Sequence, residues 1–304
     1  VRPDVVAATS PQFFAAVAGW FVAFIRRLPF VFELGDIWPT SIVAVGAIKK
    51  GFFINLFEKL ELFLYQNSTR VAALTYAFKK NLVNRGVDTS KIDVVRNGVD
   101  IKRYQPMERC VKIADRHNLK NNFVIGYVGT HGMAHGLRNV LEVAEKLQHR
   151  KNICFLFVGA GADRENLIKL SSSRNLSNTI FLPMQPKEEM PSIWSLCDVA
   201  LVHLKDNPAF SEVIPSKIFE AMSMGLPILL NLPNGEARDI IESEHTGIWV
   251  PPEDPEALVK SIKILIDDKN LRDQISRNCV AAAPKYSRSQ QARKMIEVFE
   301  KAIL

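Results

Sequence analysis

A chain of 304 residues, 47% hydrophobic and 23% charged, is long enough for two packed cores and excludes a disordered or collagen-like protein. The net charge of +7 is lopsided: up to Pro106 there are 14 Lys and Arg against 8 Asp and Glu, so the first third holds +6 of it. A surface of that sign attracts polyanions, and with no nucleic-acid module in the sequence the expected partner is an anionic membrane face or a diphosphate-linked acceptor, not nucleic acid.

Residues 1–10 read as a short apolar strand that leads into a helix. Further strands are expected at about 29–34, 70–75 and 92–95, with helices at about 13–27, 48–65 and 76–85. Such alternation predicts a parallel sheet with right-handed crossovers. The longest apolar run, Phe13 to Ile25, is short of the roughly 20 residues of a membrane span. It reads as a helix packed on a sheet, with membrane contact as the alternative; positive charge follows it at Arg26 and Arg27, which argues against a secretory signal. The stretch E-L-G-D-I-W-P-T-S, residues 33–41, lies at a strand's carboxyl end, where open α/β sheets bind ligands. It singles out Asp36 and Trp38, although a capping loop with Trp38 in the core would look the same. Behind Lys49 and Lys50, residues Phe52, Phe53, Leu56, Leu60, Phe63 and Leu64 recur at helical spacing, as a core face or as a membrane-interface helix. Asn97-Gly98 is a tight-turn signal.

A second set of units opens at F-V-I-G-Y-V-G-T-H-G-M-A-H-G-L, residues 123–137. An apolar strand runs into Gly129 and Gly132, then a helix follows from about Leu137 to Gln148. A glycine-bearing turn from strand to helix lets backbone amides approach an anion. Its spacing is not the G-x-G-x-x-G of a nicotinamide dehydrogenase. Residues 153–167 repeat the pattern, with Gly159 and Gly161 expected to serve close packing. Residues 180–191 are a short strand and a loop, and 198–203 a further strand.

Residues 211–229, S-E-V-I-P-S-K-I-F-E-A-M-S-M-G-L-P-I-L, place Glu212 and Glu220 eight apart. Proline presets φ for a first helical turn and serine can satisfy an orphan amide, so a helix is expected from about Pro215 or Ser216. Its amino terminus, at Ser216 and Lys217, suits a phosphate. Carboxylates beside that anion would be repelled by it, so their natural partners are uncharged hydroxyls, as on a sugar and a ribose. The competing reading is an amphipathic helix with two solvated glutamates. A strand at L-P-I-L-L-N and two final helices, 255–267 and 287 to the end, complete the chain. The four cysteines form no C-x-x-C pair and have no histidine at ligand spacing, which points to reduced thiols, a cytoplasmic setting and no metal.

N-G-V-D at 97–100, the Glu212–Glu220 pair and T-G-I-W-V-P-P-E-D-P-E-A-L at 246–258 occur in the order found in the retaining glycosyltransferases of family 4, which the chain resembles from residue 3 to 304. The resemblance implies an α/β protein of GT-B type with two Rossmann-like domains of parallel sheets. The acceptor-side domain would span 1–108 and lack its first strands. The donor-binding domain would span 109–284, and a terminal helix, 285–304, would cross back to the first.

By that resemblance Glu212 touches the donor sugar, Glu220 the ribose, and the amides of Ser216 and Lys217 the phosphate. Asp36 meets acceptor or donor. Gly129, Thr130, His131, Gly132 and His135 form the turn over the diphosphate, and Met184 and Gln185 lie near uracil. The family's diphosphate-clamping Arg and Lys are replaced here by Thr130 and His135. Lys217 is the first candidate to supply the missing charge and Arg138 the second, with His131 and His135 contributing if protonated. G-T-H-G-M-A-H is reminiscent of the N-acetylfucosamine transferases of O-antigen synthesis.

The implied reaction is metal-independent transfer, with retention, of an N-acetylated hexose or deoxyhexose from a UDP-sugar to a polyprenyl-diphosphate-linked saccharide. No cofactor beyond the donor is expected, and the setting would be the inner face of the cell membrane. Because the family's first domain begins with further strand–helix units, this chain alone is expected to be weakly active or inactive. A non-catalytic nucleotide-sugar-binding or scaffold protein of the same fold is the alternative.

Overall fold

The computed structural model describes residues 2–38 and 51–304. The Pro39-Thr40-Ser41 end of the Asp36 stretch and the Lys49-Lys50 pair lie outside the described residues. Two compact units make up the chain: Val1–Gly98 with Glu212–Ile214 and Arg288–Leu304, and Val99–Ser211 with Pro215–Ser287.

The first unit carries a four-stranded parallel sheet in chain order, β1 (Val6–Thr9), β2 (Phe30–Leu34), β3 (Arg70–Ala73) and β4 (Ile92–Val94). Among the described residues α1 (Phe13–Arg26), α2 (Phe52–Asn67) and α3 (Tyr76–Asn84) accompany it, together with the carboxyl-terminal helix. β2 is almost continuously apolar because strand residues alternate between two covered faces. Phe32 and Leu34 join Phe13, Leu64, Tyr65, Phe78 and Leu82 in one core. Val31 and Ala72 face the other way, onto Val298 and Ala302 of the carboxyl-terminal helix, Arg288–Ile303. α3 starts where Thr75 Oγ1 accepts from Phe78 N–H, an ordinary N-cap.

Both apolar helices pack on the core by one side and leave part of their apolar surface open. α1 buries Phe13, Ala16 and Ala23, yet leaves Phe14 and Phe24 more than two-thirds exposed. α2 buries Ile54, Glu61, Leu64 and Tyr65; of the six residues its spacing marks, Leu64 and Leu60 pack on the core, while Phe52, Phe53, Leu56 and Phe63 are exposed. The buried Glu61 is held by Tyr65 Oη and by Arg85 Nη2 at 2.7 Å. Burial nevertheless raises its carboxyl above the ordinary range.

The second unit has a six-stranded parallel sheet in the order β10-β9-β8-β5-β6-β7, comprising β5 (Phe123–Val128), β6 (Ile153–Val158), β7 (Thr179–Leu182), β8 (Val199–His203), β9 (Ile228–Asn231) and β10 (Gly247–Val250). Its helices are α4 (Val111–Arg116), α5 (Leu137–Lys146), α6 (Arg164–Ser173), α7 (Met190–Trp194), α8 (Lys217–Ser223), α9 (Glu236–Ser243), α10 (Pro255–Asp267) and α11 (Lys269–Ala282). The strand order reverses between β5 and β8, which is the place where open α/β sheets form a crevice. α10 begins as its sequence indicates, with Pro255 in the first turn and Asp254 accepting from Ala257 N–H. α11 falls between the two expected final helices; it buries only Ile275, Cys279 and Ala282, too thin a stripe to announce itself.

Candidate functional site

In the second unit the chain leaves β5 at Gly129 with φ 140° and leaves β6 at Gly159 with φ 145°. A Cβ on Gly159 would lie 1.9 Å from the carbonyl oxygen of Gly129, so the two turns stack backbone against backbone. Gly161, at φ 154°, meets the backbone of His131 in the same way. Only glycine fits such positions. A Cβ on Gly129 would in turn stand 2.8 Å from Lys217 Nζ, so the lysine head lies directly against this turn.

Lys217 opens α8. Ser216 occupies the N-cap but its side chain makes no capping bond, which corrects the expected hydroxyl cap. The lysine places Nζ 3.9 Å from the centroid of the Tyr127 ring. His131 and His135 lie around the same ring, with centroids 5.7 and 6.0 Å from it. Tyr127 Oη donates to Thr130 O at 2.8 Å and pins the turn. At the end of β8, His203 Nδ1 donates to His135 O at 2.6 Å, which leaves its Nε2 as a bare acceptor.

Five buried nitrogens on four residues lack a partner around this turn. Lys217 Nζ, both ring nitrogens of His131, Nδ1 of His135 and Nε2 of His203 are shielded from solvent without a hydrogen-bond partner. Buried polar atoms are normally satisfied, so a cluster of unsatisfied ones marks a site shaped for a polar ligand. Burial pushes Lys217 down to about 7, against an opposing pull from Glu220. It pushes His131 down to about 4 with help from Arg164 and Lys217, His135 to about 4 with help from Lys217, and His203 to about 4. The imidazoles are therefore neutral at physiological pH, and the expectation that His131 and His135 add positive charge by protonation is corrected. Among the described residues no group of three His, Cys, Asp or Glu is arranged to hold a metal ion.

The other expected residues of this unit are spread around the turn and beyond it. Thr130 and Gly132 follow Gly129, with Thr130 exposed. Glu220 lies one turn into α8 and accepts from Trp194 Nε1 at 3.1 Å. Met184 is exposed, and Gln185 Nε2 donates to Pro183 O. Arg138 stands 4.0 Å from Asp163 and is largely solvated. Three residues that sequence reasoning passed over belong to the cluster: Tyr127 near the end of β5, His203 at the end of β8, and Arg164, whose Nε is buried without a partner. Tyr127 and His203 share one signal, position at a strand's carboxyl end, whereas Arg164 opens α6 beyond the turn after β6.

Asp36 and Glu212 belong to the first unit. The N–H groups of Gly35 and Asp36 donate to Ser10 Oγ at 3.0 and 3.2 Å, and that hydroxyl donates to Asp36 O at 3.0 Å. Trp38 stacks on Phe13 at 4.7 Å, filling the core edge. Both carboxylate oxygens of Glu212 accept from Asn81 Nδ2 at 3.1 Å, and its carbonyl accepts from Thr75 Oγ1 at 2.9 Å. The two glutamates of the spaced pair thus fall in different units.

Residues 112–280 match the family model of the glycosyl transferases group 1, and residues 1–98 match that of the glycosyl transferase 4-like domain. The chain is 26% identical, over 86% of its length and 66% of the relative's, to the putative colanic acid biosynthesis glycosyl transferase WcaI of Escherichia coli K12. It is 27% identical to the E. coli UDP-Gal:alpha-D-GlcNAc-diphosphoundecaprenol alpha-1,3-galactosyltransferase, over 74% of this chain and 58% of that one. The crystal structure of Anabaena HepE in complex with UDP superposes with a TM-score of 0.82 at 20% identity, over 98% of this chain and 78% of that one. The chain spans about half to two thirds of the length of the curated relatives it matches.

Proposed function

The chain belongs to the glycosyl transferases of group 1 and takes the GT-B fold, and on that footing we propose that it serves the transfer of an N-acetylated hexose or deoxyhexose from a UDP-sugar to a polyprenyl-diphosphate-linked saccharide, with retention of configuration. One observation carries this reading: the enclosed set of unpartnered polar atoms at the β5–β8 reversal, with Lys217 Nζ at its centre. A diphosphate supplies acceptors for the donors among them, Lys217 Nζ first, and a cation is required where charge grows on the leaving group. Lys217 and the amides of Thr130, Gly132 and Ser216 take the diphosphate, those of Gly129 and His131 being spent on Val158 O and Ala160 O; Glu220 takes the ribose, and Met184 with Gln185 the uracil. Glu212 is assigned to hydroxyls of the donor sugar and Asp36 to the acceptor side. The proposed donor-binding domain covers 109–284, and 1–108 the acceptor side. The names of the relatives favour this chemistry, since one is named for a diphosphoundecaprenol acceptor and HepE holds UDP.

Isothermal titration of UDP into the chain tests the donor site: saturable heat is expected below about millimolar nucleotide, and its absence there removes the reading. Mass spectrometry of products from the full-length enzyme with a panel of UDP-sugars then identifies the sugar.

A lipid-linked acceptor calls for membrane contact, which we assign to the aromatic faces of α1 and α2. These helices lie side by side, with Trp20 against Phe63 at 5.0 Å, and they expose Phe14, Phe21, Phe24, Phe52, Phe53 and Leu56 beside the exposed Arg26, Arg27 and Lys59. Apolar side chains ringed by cations suit an anionic leaflet. No described helix is long and apolar enough to cross a membrane. The full chain should float with phosphatidylglycerol vesicles, less with phosphatidylcholine ones, and a Phe24→Asp, Phe53→Asp double variant should lose roughly tenfold or more of that binding. Equal recovery of wild type from both vesicle types would remove the assignment.

A further inference from the structure

We propose that a nucleoside diphosphate arriving at the turn after β5 draws one proton onto Nζ of Lys217, so that the site acquires its positive charge only together with its ligand. The inference rests on the donor-site reading above and adds to it how the site is charged.

The geometry makes the case. Nζ is shielded, has no hydrogen-bond partner and rests on the Tyr127 face at 3.9 Å. The groups around it supply no full negative charge in contact. Tyr127 keeps its hydroxyl proton, because burial pushes that phenol well above its ordinary range. His131, His135 and His203 are neutral, and Arg164 is a second cation near His131. Lys205 packs by its stem against Gly136, on the side of His203. The carboxylate that favours the ammonium form is Glu220, one turn along α8, which is engaged with Trp194 Nε1. An amine so placed is desolvated and only partly compensated, by the Tyr127 ring face and by Glu220 at a distance, and burial holds it near 7.

A diphosphate in contact reverses that balance. The amine lone pair takes a proton from the buffer acid, the buffer base is released, and the new ammonium meets the phosphate oxygens in charge-assisted hydrogen bonds. Binding therefore raises the proton affinity of the group. Affinity is fully expressed below the empty-site value near 7 and falls as pH rises from there toward the bound-state value.

Titration of UDP into the full chain at about pH 8, in phosphate and in Tris, reads the proton directly. At that pH the nucleotide's terminal phosphate is already ionised, so it releases nothing that could mimic or mask uptake. The apparent enthalpies should differ by the two buffers' ionisation enthalpies times close to one proton per UDP. The Lys217→Arg variant keeps its charge at every pH and should show a slope near zero. Should that variant not fold or bind, the wild-type pH profile decides: affinity is expected to fall by nearly tenfold per unit above about pH 7. Equal enthalpies in both buffers, a flat wild-type profile, or uptake that persists in Lys217→Arg would each overturn the inference while the donor site stands. No heat at millimolar UDP overturns both.

Discussion

Replacing Glu212 by glutamine in the full-length enzyme is expected to lower sugar transfer on the order of a hundred- to a thousandfold, while the affinity for UDP changes by less than about threefold. The split follows from what this carboxylate is assigned to touch. On the proposed assignment it meets the sugar and not the nucleotide, so removing its charge leaves the nucleotide's contacts in place. Its orientation is set by Asn81 Nδ2, which reaches both oxygens at 3.1 Å. Glutamine offers one acceptor there in place of two, so the change loses both charge and alignment. Transfer within threefold of wild type would favour the non-catalytic, nucleotide-sugar-binding alternative. A parallel collapse of UDP affinity would instead move Glu212 to the nucleotide.

Lys217→Met should act in two directions at once: UDP affinity at pH 7 falls by about tenfold to a hundredfold, and the melting temperature rises. The first effect is the loss of a charge-assisted contact to the diphosphate. The second follows from the sign of the lysine's shift. Its folded-state value is lowered to about 7 from 10.5, so between those values the unfolded chain binds more protons than the folded one. Wild-type stability therefore rises with pH across that window, and the destabilisation is complete below pH 7. Methionine fills a similar volume without the charge, so a gain of a few degrees is expected, at about 2–4 °C per kcal/mol for a unit of this size. Thermal melts at about pH 6 and pH 9 check it: the gap between variant and wild type should narrow at the higher pH. A variant that melts lower at both would show that Nζ is better satisfied than its surroundings indicate.

The strand–helix alternation was legible because parallel strands covered on both faces, such as β2 and β6, must be written as apolar runs. The glycine turns were legible too, since backbone stacked on backbone admits no side chain. Three things were not. α11 carries too thin an apolar stripe to stand out from its polar surroundings. The apolar spacing of α2 does not say which of its residues point inward: Leu60 and Leu64 do, and the phenylalanines at 52, 53 and 63 do not. The charge state of the histidines depends on burial created by β5, β6 and β8 together, so no local window contains it. For the same reason Tyr127 and His203, 76 positions apart but one strand from each other across the sheet reversal, gave no joint signal.

The carboxyl-terminal helix Arg288–Ile303 belongs to the unit that begins the chain, where Val298 and Ala302 cover Val31 and Ala72. During synthesis β1 to β4 leave the ribosome well before this helix, so one side of their sheet lacks its lid until residues 288–303 are made. The second unit begins later and can close earlier, because nearly all its parts are already available. A ribosome stalled or terminated before that helix would thus release a chain whose first unit still displays bare apolar strands, the feature that quality-control chaperones recognise.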